Sequence, residues 1–457
     1  MEISAEPTKR FFVEMLTRDI ELADAILDLL DNCIDGVIRQ GKGATYEGFW
    51  AQINFNKDEF SIVDNCGGIS EEIAKVAFRI GRSNADRDAG LNTVGVYGIG
   101  MKRAIFKIGR NATVSTKTSD GDEFEVPISS AWMESDVWKL DTVKKKTGLQ
   151  EFGTEIKIDK LVPAVSEQLD VVSNPFFLTS FVEKISTIYA YIISKGFVVS
   201  VNGKRIVPKK LHLLVTHGPD AVEPFYASFT HEGVDIKIAI GLYERFHTDG
   251  ELEDFEDGTR SKESAGISII CNDRVVEYAN KDYKTGWGER PVPAYHSQFI
   301  TIAGFAAFSS SNPLDLPLTT TKRGVDLNSK LYNLVKEQIK EGLKQFTDFT
   351  NKWKSRSEER ASILNNATTI DIYSDGFKPS KQREVKLEGL KGFKSSFSLP
   401  TPKNTSDQAR IVFVKKKTEV QILKDYLEEQ IGGGGTTPSE TGSMAFDYLL
   451  SEATDGR

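Results

Sequence analysis

The stretch AILDLLDNCIDGVI, residues 25–38, places Ile26, Leu29, Leu30, Cys33 and Val37 at helical spacing, which predicts an amphipathic helix with one face on a core. The other face is acidic. Glu21, Asp24, Asp28, Asn32 and Asp35 fall within roughly 80° of arc at 3.6 residues per turn. No Lys or Arg stands between Glu21 and Asp35 to relieve the four carboxylates. Such a stripe faces either water or a cation. In FSIVDNCGGISEEIAKVAF, a β-branched strand over 61–63 leads through a two-glycine turn into a helix. Ser70 is its N-cap, and Glu71 and Glu72 suit the positive end of its dipole. Asp64 therefore sits at the end of a strand, where it either accepts from a ligand amine or closes an Asx-turn on its own backbone. In GLNTVGVYGIGMKRAIFKIG, Gly95, Gly98 and Gly100 precede a helical pattern from Met101 to Ile108. EFGTEIKIDKL puts Gly153 and Thr154 at the start of a further strand.

Further along, FFLTSFVEKISTIYAYIISKG has helical periodicity, and FVVSVNGKRIVP reads as a hairpin around Asn202-Gly203. ISIICNDRVVEY and FITIAGFAAFSS are strands, and HTDGELEDFEDGTRSKESAG is a polar loop. YKTGWGERPVPAYHSQF carries aromatics among prolines and fits packing as well as binding. From Leu331 to Arg360 the chain is helical and charged. Gly376 to Lys417 then holds eleven Lys/Arg against three Asp/Glu, with Phe377, Phe393 and Phe397 interleaved. That mixture suits a nucleic acid, a linker or an acidic protein partner. KKKTEVQILKDYLEEQI is an amphipathic helix, residues 432–435 a Gly break, and Pro438 opens a last short helix, together a small docking or dimerisation unit.

Composition narrows the class. A chain of 457 residues predicts about three domains, and 39% hydrophobic with 27% charged residues is that of a globular protein. A net charge of −8 argues against a chain wholly coated by nucleic acid. No run of about 18 apolar residues is present, and MEISAEPTKRFF lacks the pattern of a secretory leader. Cys33, Cys66 and Cys271 are odd in number and far apart, as expected in a reducing, cytoplasmic compartment.

The glycine-rich run before Met101 offers free backbone N–H groups at a helix N-terminus, an anion site to which Lys102 adds a charge. It lacks the Gly-Lys-Ser/Thr of a Walker A loop, and no clean strand feeds it as in a dinucleotide fold.

Together the four N-terminal stretches resemble the GHKL ATPases, the superfamily of gyrase-type topoisomerases, heat-shock chaperones of that class, histidine kinases and MutL. The matching residues are Asp28, Asn32 and Asp35, a first glycine box from Asp64 through Gly68 and Ile69, a second from Gly95 to Lys102, and the late Gly153-Thr154. The run Gly95-Val96-Tyr97-Gly98-Ile99-Gly100-Met101-Lys102 looks most like the MORC branch. The resemblance implies an α+β protein: a GHKL α/β sandwich over 1–165, a transducer-like domain over 166–345 and a helical, flexible region over 346–457. It implies that the acidic stripe faces ATP and Mg²⁺. Asn32 would ligate the metal, Asp28 would be the catalytic base, and Asp64 would accept from adenine. Asp35, Gly68, Ile69, Gly95, Tyr97, Gly98, Ile99, Gly100, Met101, Lys102 and Thr154 would complete the nucleotide site. Lys322 would reach the γ-phosphate from the second domain.

Two residues depart from the family pattern. Asp28 stands where Glu is usual, an arm shorter by about 1.3–1.5 Å. Cys66 replaces the first glycine of the first box, leaving Gly67 to supply backbone freedom. The implied activity is a slow ATPase acting as a homodimeric clamp on DNA or a DNA-bound partner, in genome defence or repair. The alternatives are a chaperone-like ATPase acting on protein and a nucleotide-gated module with little hydrolysis.

Overall fold

The computed structural model describes residues 8–41, 45–79, 91, 93–94, 98–218, 220–246, 264–319, 321–354, 359, 362–371, 379–387, 389–402, 414–435 and 437–455. Two large β-sheets, each covered by helices, and one two-stranded pair make a mixed α+β protein among the described residues. The first sheet contains β1 (Trp50–Phe55), β2 (Phe60–Asp64), β3 (Gly109–Lys117), β4 (Glu123–Ile128), β5 (Val143–Lys144), β6 (Gly153–Leu161), β7 (Val198–Val201) and β8 (Lys204–Arg205). Their order across the sheet is β5-β4-β3-β6-β2-β1-β7-β8. The accompanying helices are α1 (Lys9–Arg18), α2 (Leu22–Arg39), α3 (Glu71–Ala77), α4 (Gly100–Ile108), α5 (Ser130–Glu134), α6 (Pro163–Leu169), α7 (Pro175–Ile188) and α8 (Ala190–Ser194).

α2 forms because its apolar residues recur every three to four positions, and that face is withdrawn from water. Ile26, Leu30, Ile34 and Val37 are fully buried with Ile53, Ile62, Ile105 and Ile158. Burying four such side chains contributes on the order of 6–12 kcal/mol before chain entropy is counted. The Asn202-Gly203 turn is present, but its hairpin joins the first sheet: β7 runs parallel to β1, with Ile53 opposite Val201. Residues 198–205, beyond the division at 165 read from the sequence, thus complete the first sheet. Hydrogen bonds to the open edge of β1 outweigh proximity in sequence.

The second sheet holds β10 (Phe225–His231), β11 (Val234–Leu242), β12 (Gly266–Cys271), β13 (Arg274–Asn280) and β14 (Ile302–Ser310), while β9 (His212–Val215) lies apart. Helix α9 (Lys330–Lys352) covers one face, burying Tyr332, Val335, Ile339, Leu343 and Phe346 against Ile236, Ile238 and Ile240. β15 (Thr368–Asp371) pairs with β9. β16 (Gln382–Leu387) and β17 (Leu390–Ser395) form a hairpin that extends the second sheet beyond β10.

That hairpin changes the picture of the basic segment 376–417. Residues 382–387 and 390–395 of it are sheet rather than linker, with Val385, Leu387 and Leu390 among polar residues around a left-handed Gly389. Lys394 is buried and paired with Glu341 of α9, so it serves the fold. Phe393 stays half exposed, and Phe377 lies outside the described residues.

Of the aromatics among the prolines, Trp287, Tyr295 and Phe299 pack together, while Tyr283 is exposed. Buried Trp287 meets Tyr295 edge-on at 5.2 Å and Phe299 at 5.9 Å between ring centroids. Of the polar loop, residues 247–263 lie outside the described residues. The last two helices are α10 (Lys417–Ile431) and α11 (Pro438–Asp455), the latter longer than the short helix expected. Among the described residues no helix is long and apolar enough to cross a membrane.

The two sheets meet through the β12–β13 turn. Asn272 and Asp273 adopt left-handed φ of 44° and 64°. This aims Asp273 at the Tyr46 hydroxyl (3.2 Å) and the Lys195 ammonium (3.0 Å). The Asn272 amide donates to the carbonyl of Thr93 at 3.1 Å, just ahead of the second glycine box.

Candidate functional site

A cavity of about 350 Å³ opens between α2, the end of β2, α3 and the N-terminus of α4. That volume suits a drug-sized or nucleotide-sized ligand. Asp28, Asn32, Asp64, Gly68, Ile69, Gly98, Ile99, Gly100, Met101, Lys102, Thr154 and Lys322, expected together from the sequence, all line it. Asp35 does not. It is buried beneath the helix, where its Oδ1 accepts from the Val94 amide at 2.6 Å and anchors the approach to the glycine loop. Gly95 and Tyr97 lie outside the described residues.

Asp64 closes the turn on its own backbone and also lines the cavity. Its Oδ1 accepts from the Cys66 amide at 2.8 Å, closing the Asx-turn, and from the Thr154 amide at 3.3 Å. The second bond requires Gly153, since a Cβ there would stand 1.8 Å from the Asp64 carbonyl oxygen. The freedom lost at Cys66 is taken up by Gly67 and Gly68, with φ of 100° and 75°. Burial pushes the Asp64 carboxyl up to about 6, against the lowering effect of these bonds. Ile62, Ile69, Ile73, Met101 and Ile156 give the wall beside it an apolar surface suited to a flat ring.

The glycine-rich end of the cavity is built from α4. Ile99 supplies no side-chain cap to the first turn of the helix, which faces the cavity. Lys102 is turned inward, its ammonium donating to the carbonyls of Ala77 (2.7 Å) and Gly98. Gly100 lets α4 come close to α2, since a Cβ there would sit 3.3 Å from the Asp28 Cβ.

The acidic stripe is held by cations from three directions. Arg103 of α4 donates to Asp28 Oδ2 through Nε at 3.1 Å and through Nη2. Burial raises the Asp28 carboxyl above its ordinary value, and Lys322 and Arg103 temper that rise. Lys184 of α7 pairs with Asp24 at 2.6 Å. Lys322, at a left-handed φ of 56°, donates to Asp31 Oδ2 at 3.1 Å. Its neighbour Arg323 pairs with Asp24 at 3.2 Å, upstream of the cavity.

Asp31 is the residue the sequence reading missed. It is fully buried and also receives the Tyr189 hydroxyl at 2.7 Å and Arg274 Nε at 3.0 Å. Burial works to raise its carboxyl, but Arg274 and Lys322 overcome this and hold it below the ordinary range. Arg274 also donates to the Lys322 carbonyl at 2.8 Å, fixing the loop that carries the lysine. The signal available in the sequence was slight: Asp31 stands only about 20° outside the stripe on a helical wheel.

Asn32 faces the cavity beside Asp28, and its amide oxygen is a hard donor of the kind Mg²⁺ takes. Among the described residues no group of three or more His, Cys, Asp or Glu is placed to hold a metal alone. A single protein oxygen fits Mg²⁺ that completes its shell with phosphates and water.

A comparison with curated proteins finds no match. The family described as histidine kinase-, DNA gyrase B-, and HSP90-like ATPase matches residues 20–148, from the start of α2 to just past β5. That span contains both glycine boxes and stops short of Gly153-Thr154 and Lys322. With the acidic helix, the apolar slot at Asp64 and the uncapped α4 in one cavity, the chain carries a GHKL-type, ATP-binding ATPase domain over residues 20–148.

Proposed function

We propose that this protein is an ATP-operated clamp in which the second sheet domain reads the nucleotide through Lys322. The observation that carries this reading is the entry of Lys322 into the wall of the ATP cavity, 291 residues from its partner Asp31. A compact ammonium between a carboxylate and an incoming γ-phosphate has two alternative partners. Moving from Asp31 to the phosphate would loosen the loop 319–325 from α2 and shift the second domain. The Asn272–Thr93 bond gives a parallel path from the glycine loop to the same domain.

In this reading Asn32 holds Mg²⁺ through its amide oxygen. The metal supplies charge neutralisation on the phosphates. Asp64 accepts from the adenine amine, the α4 N-terminus holds phosphate oxygens, and Asp28 positions and deprotonates the attacking water. The Gly-x-Tyr-Gly-x-Gly-x-Lys run supports a MORC-like assignment. Exposed Lys386 and Lys391 beside Phe393 on β16–β17 support a DNA or DNA-bound partner for a homodimer. A second reading, a nucleotide-gated module with little hydrolysis, is favoured by the engagement of Asp28 with Arg103.

Lys322→Ala is expected to lower ATP turnover by roughly 10²–10³, as for one preorganised donor, while leaving ADP affinity within about twofold. Steady-state phosphate release and ADP titration test this. Equal weakening of ATP and ADP with unchanged turnover would remove Lys322 from the mechanism. Arg323→Ala, which touches Asp24 outside the cavity, serves as the control.

Asp64 predicts a pH dependence. An acid pushed up to about 6 is ionised above that pH and protonated below it. Adenine nucleotides, which need the charged acceptor, should bind about tenfold more weakly at pH 5 than at pH 7.5. Asp64→Asn should bind weakly at both values. Calorimetric titration with ATP and GTP checks this, and a pH-independent affinity in the wild type rules out the acceptor role.

A further inference from the structure

The cavity wall contains an arginine that neither the glycine boxes nor the acidic stripe accounts for. Arg103 stands in the first turn of α4, its backbone N–H on the Ile99 carbonyl at 3.0 Å. Its side chain lines the cavity and is only 14% exposed. Both of its bonds to Asp28 converge on one oxygen. Nε donates to Oδ2 at 3.1 Å, and Nη2 donates to the same atom. This is not the parallel fork in which both carboxylate oxygens are engaged. Among the described residues, Nη1 of Arg103 and Oδ1 of Asp28 have no hydrogen-bond partner. A nearly buried guanidinium with an unused donor nitrogen, on the wall of a ligand cavity, is suited to an anion.

The neighbouring cations are differently placed. Lys102 donates to the Ala77 and Gly98 carbonyls, and Lys322 donates to Asp31. A triphosphate brings several negative charges to a site that already holds Asp28, Asp31 and Asp64. A planar guanidinium can serve two anions at once through different edges, which the compact ammonium of a lysine cannot do in fixed directions.

We propose that Arg103 is a catalytic residue, a γ-phosphate ligand supplied by the ATPase domain itself. Nη1 takes a γ-phosphate oxygen while Nε keeps Asp28 Oδ2, which leaves Oδ1 to the attacking water. The water gives a proton to Oδ1 and its oxygen forms the new P–O bond. The bond to ADP breaks, and its electron pair goes to the β-phosphate oxygen. Charge gathers on the phosphoryl oxygens during this step, and the guanidinium stabilises it. The draw of the phosphate on the guanidinium also relaxes its hold on Oδ2, so the base is loosened as substrate arrives. The link to the base rests on the reading of Asp28 given above; the phosphate contact stands without it.

The full chain with Mg²⁺ tests the proposal in two ways. At equilibrium, Arg103→Ala should weaken the β,γ-imido analogue of ATP about tenfold and leave ADP within about twofold, because ADP has no γ-phosphate. In turnover, Arg103→Ala should lose about 10²–10³, and added guanidinium should restore part of that loss. Arg103→Lys guards against a folding defect, since it keeps a cation beside Asp28. Its urea midpoint should match the wild type, while its turnover stays at least about tenfold low because one ammonium does not span both anions. Equal weakening of the analogue and ADP, an unchanged preference for the analogue, or wild-type turnover in Arg103→Lys would each overturn the proposal. Full turnover in Asp28→Asn would remove the base and not the phosphate contact, which the analogue-to-ADP ratio reads by itself. The equilibrium measurement needs no turnover, so it decides even for a protein that holds ATP without hydrolysing it.

Discussion

Asp28→Asn should hold ATP and fail to turn it over. The expected loss in kcat is about 10²–10⁴, the contribution of a positioned general base, or roughly 3–5 kcal/mol of barrier. The affinity for ATP should change little, because the amide keeps the shape of the side chain and one acceptor oxygen. Three features support Asp28 as that base. Its carboxylate is in the cavity wall, burial raises its proton affinity, and Gly100 brings α4 against it, offsetting the shorter arm of Asp relative to Glu. Arg103 must release the carboxylate, or share it, for the reaction to proceed. A phosphate anion is a stronger partner for a guanidinium than a carboxylate already shared, so bound nucleotide favours that release. Single-turnover phosphate release from the variant, compared with its ATP dissociation constant, decides the matter. Unchanged turnover would pass the role to another group. Negligible turnover in the wild type as well would leave the nucleotide-gated module as the function.

Asp31→Ala should be the most damaging single substitution for the structure itself. It would leave the Arg274 guanidinium buried without its carboxylate and free Lys322 from α2. Removing one member of a buried ion pair costs about 3–5 kcal/mol, several times the value of a surface pair. The expected result is a large fall in the urea midpoint, with earlier cleavage between the two sheet domains. Asp31→Asn should lose less, because the amide still accepts from Tyr189. The pH dependence follows from the direction of the shift. A carboxyl held below its ordinary value stabilises the fold above the unfolded-state value of 3.8, and that stability is lost as pH falls through the lower folded value. The wild type should therefore lose its interdomain contact in acid, and Asp31→Ala should show no such step. A variant as stable as the wild type would mean that Arg274 finds water or another anion.

The sequence by itself determined the local devices. Helix α2 and its acidic stripe, the Ser70 cap, the Asn202-Gly203 turn, the strand that opens at Gly153 and the glycine loop before α4 all follow from periodicity and from the conformations that single residues allow. Such preferences act over a few residues and can be read without knowing the neighbours. The cavity was legible for the same reason, since most of its lining comes from four contiguous stretches. Tertiary structure alone decided which charges meet. Asp31 became the centre of the domain joint only when Arg274 and Lys322 arrived from 243 and 291 residues away. Arg103, which no sequence pattern singled out, meets Asp28 only because α4 packs across α2. Asp35 left the site because its carboxylate was needed beneath it by Val94. The hairpins β7–β8 and β16–β17 chose their sheets by hydrogen bonding to β1 and β10 rather than by nearness in the chain. An ion pair or a sheet edge depends on burial and on partners remote in sequence, and the pattern of one segment contains neither.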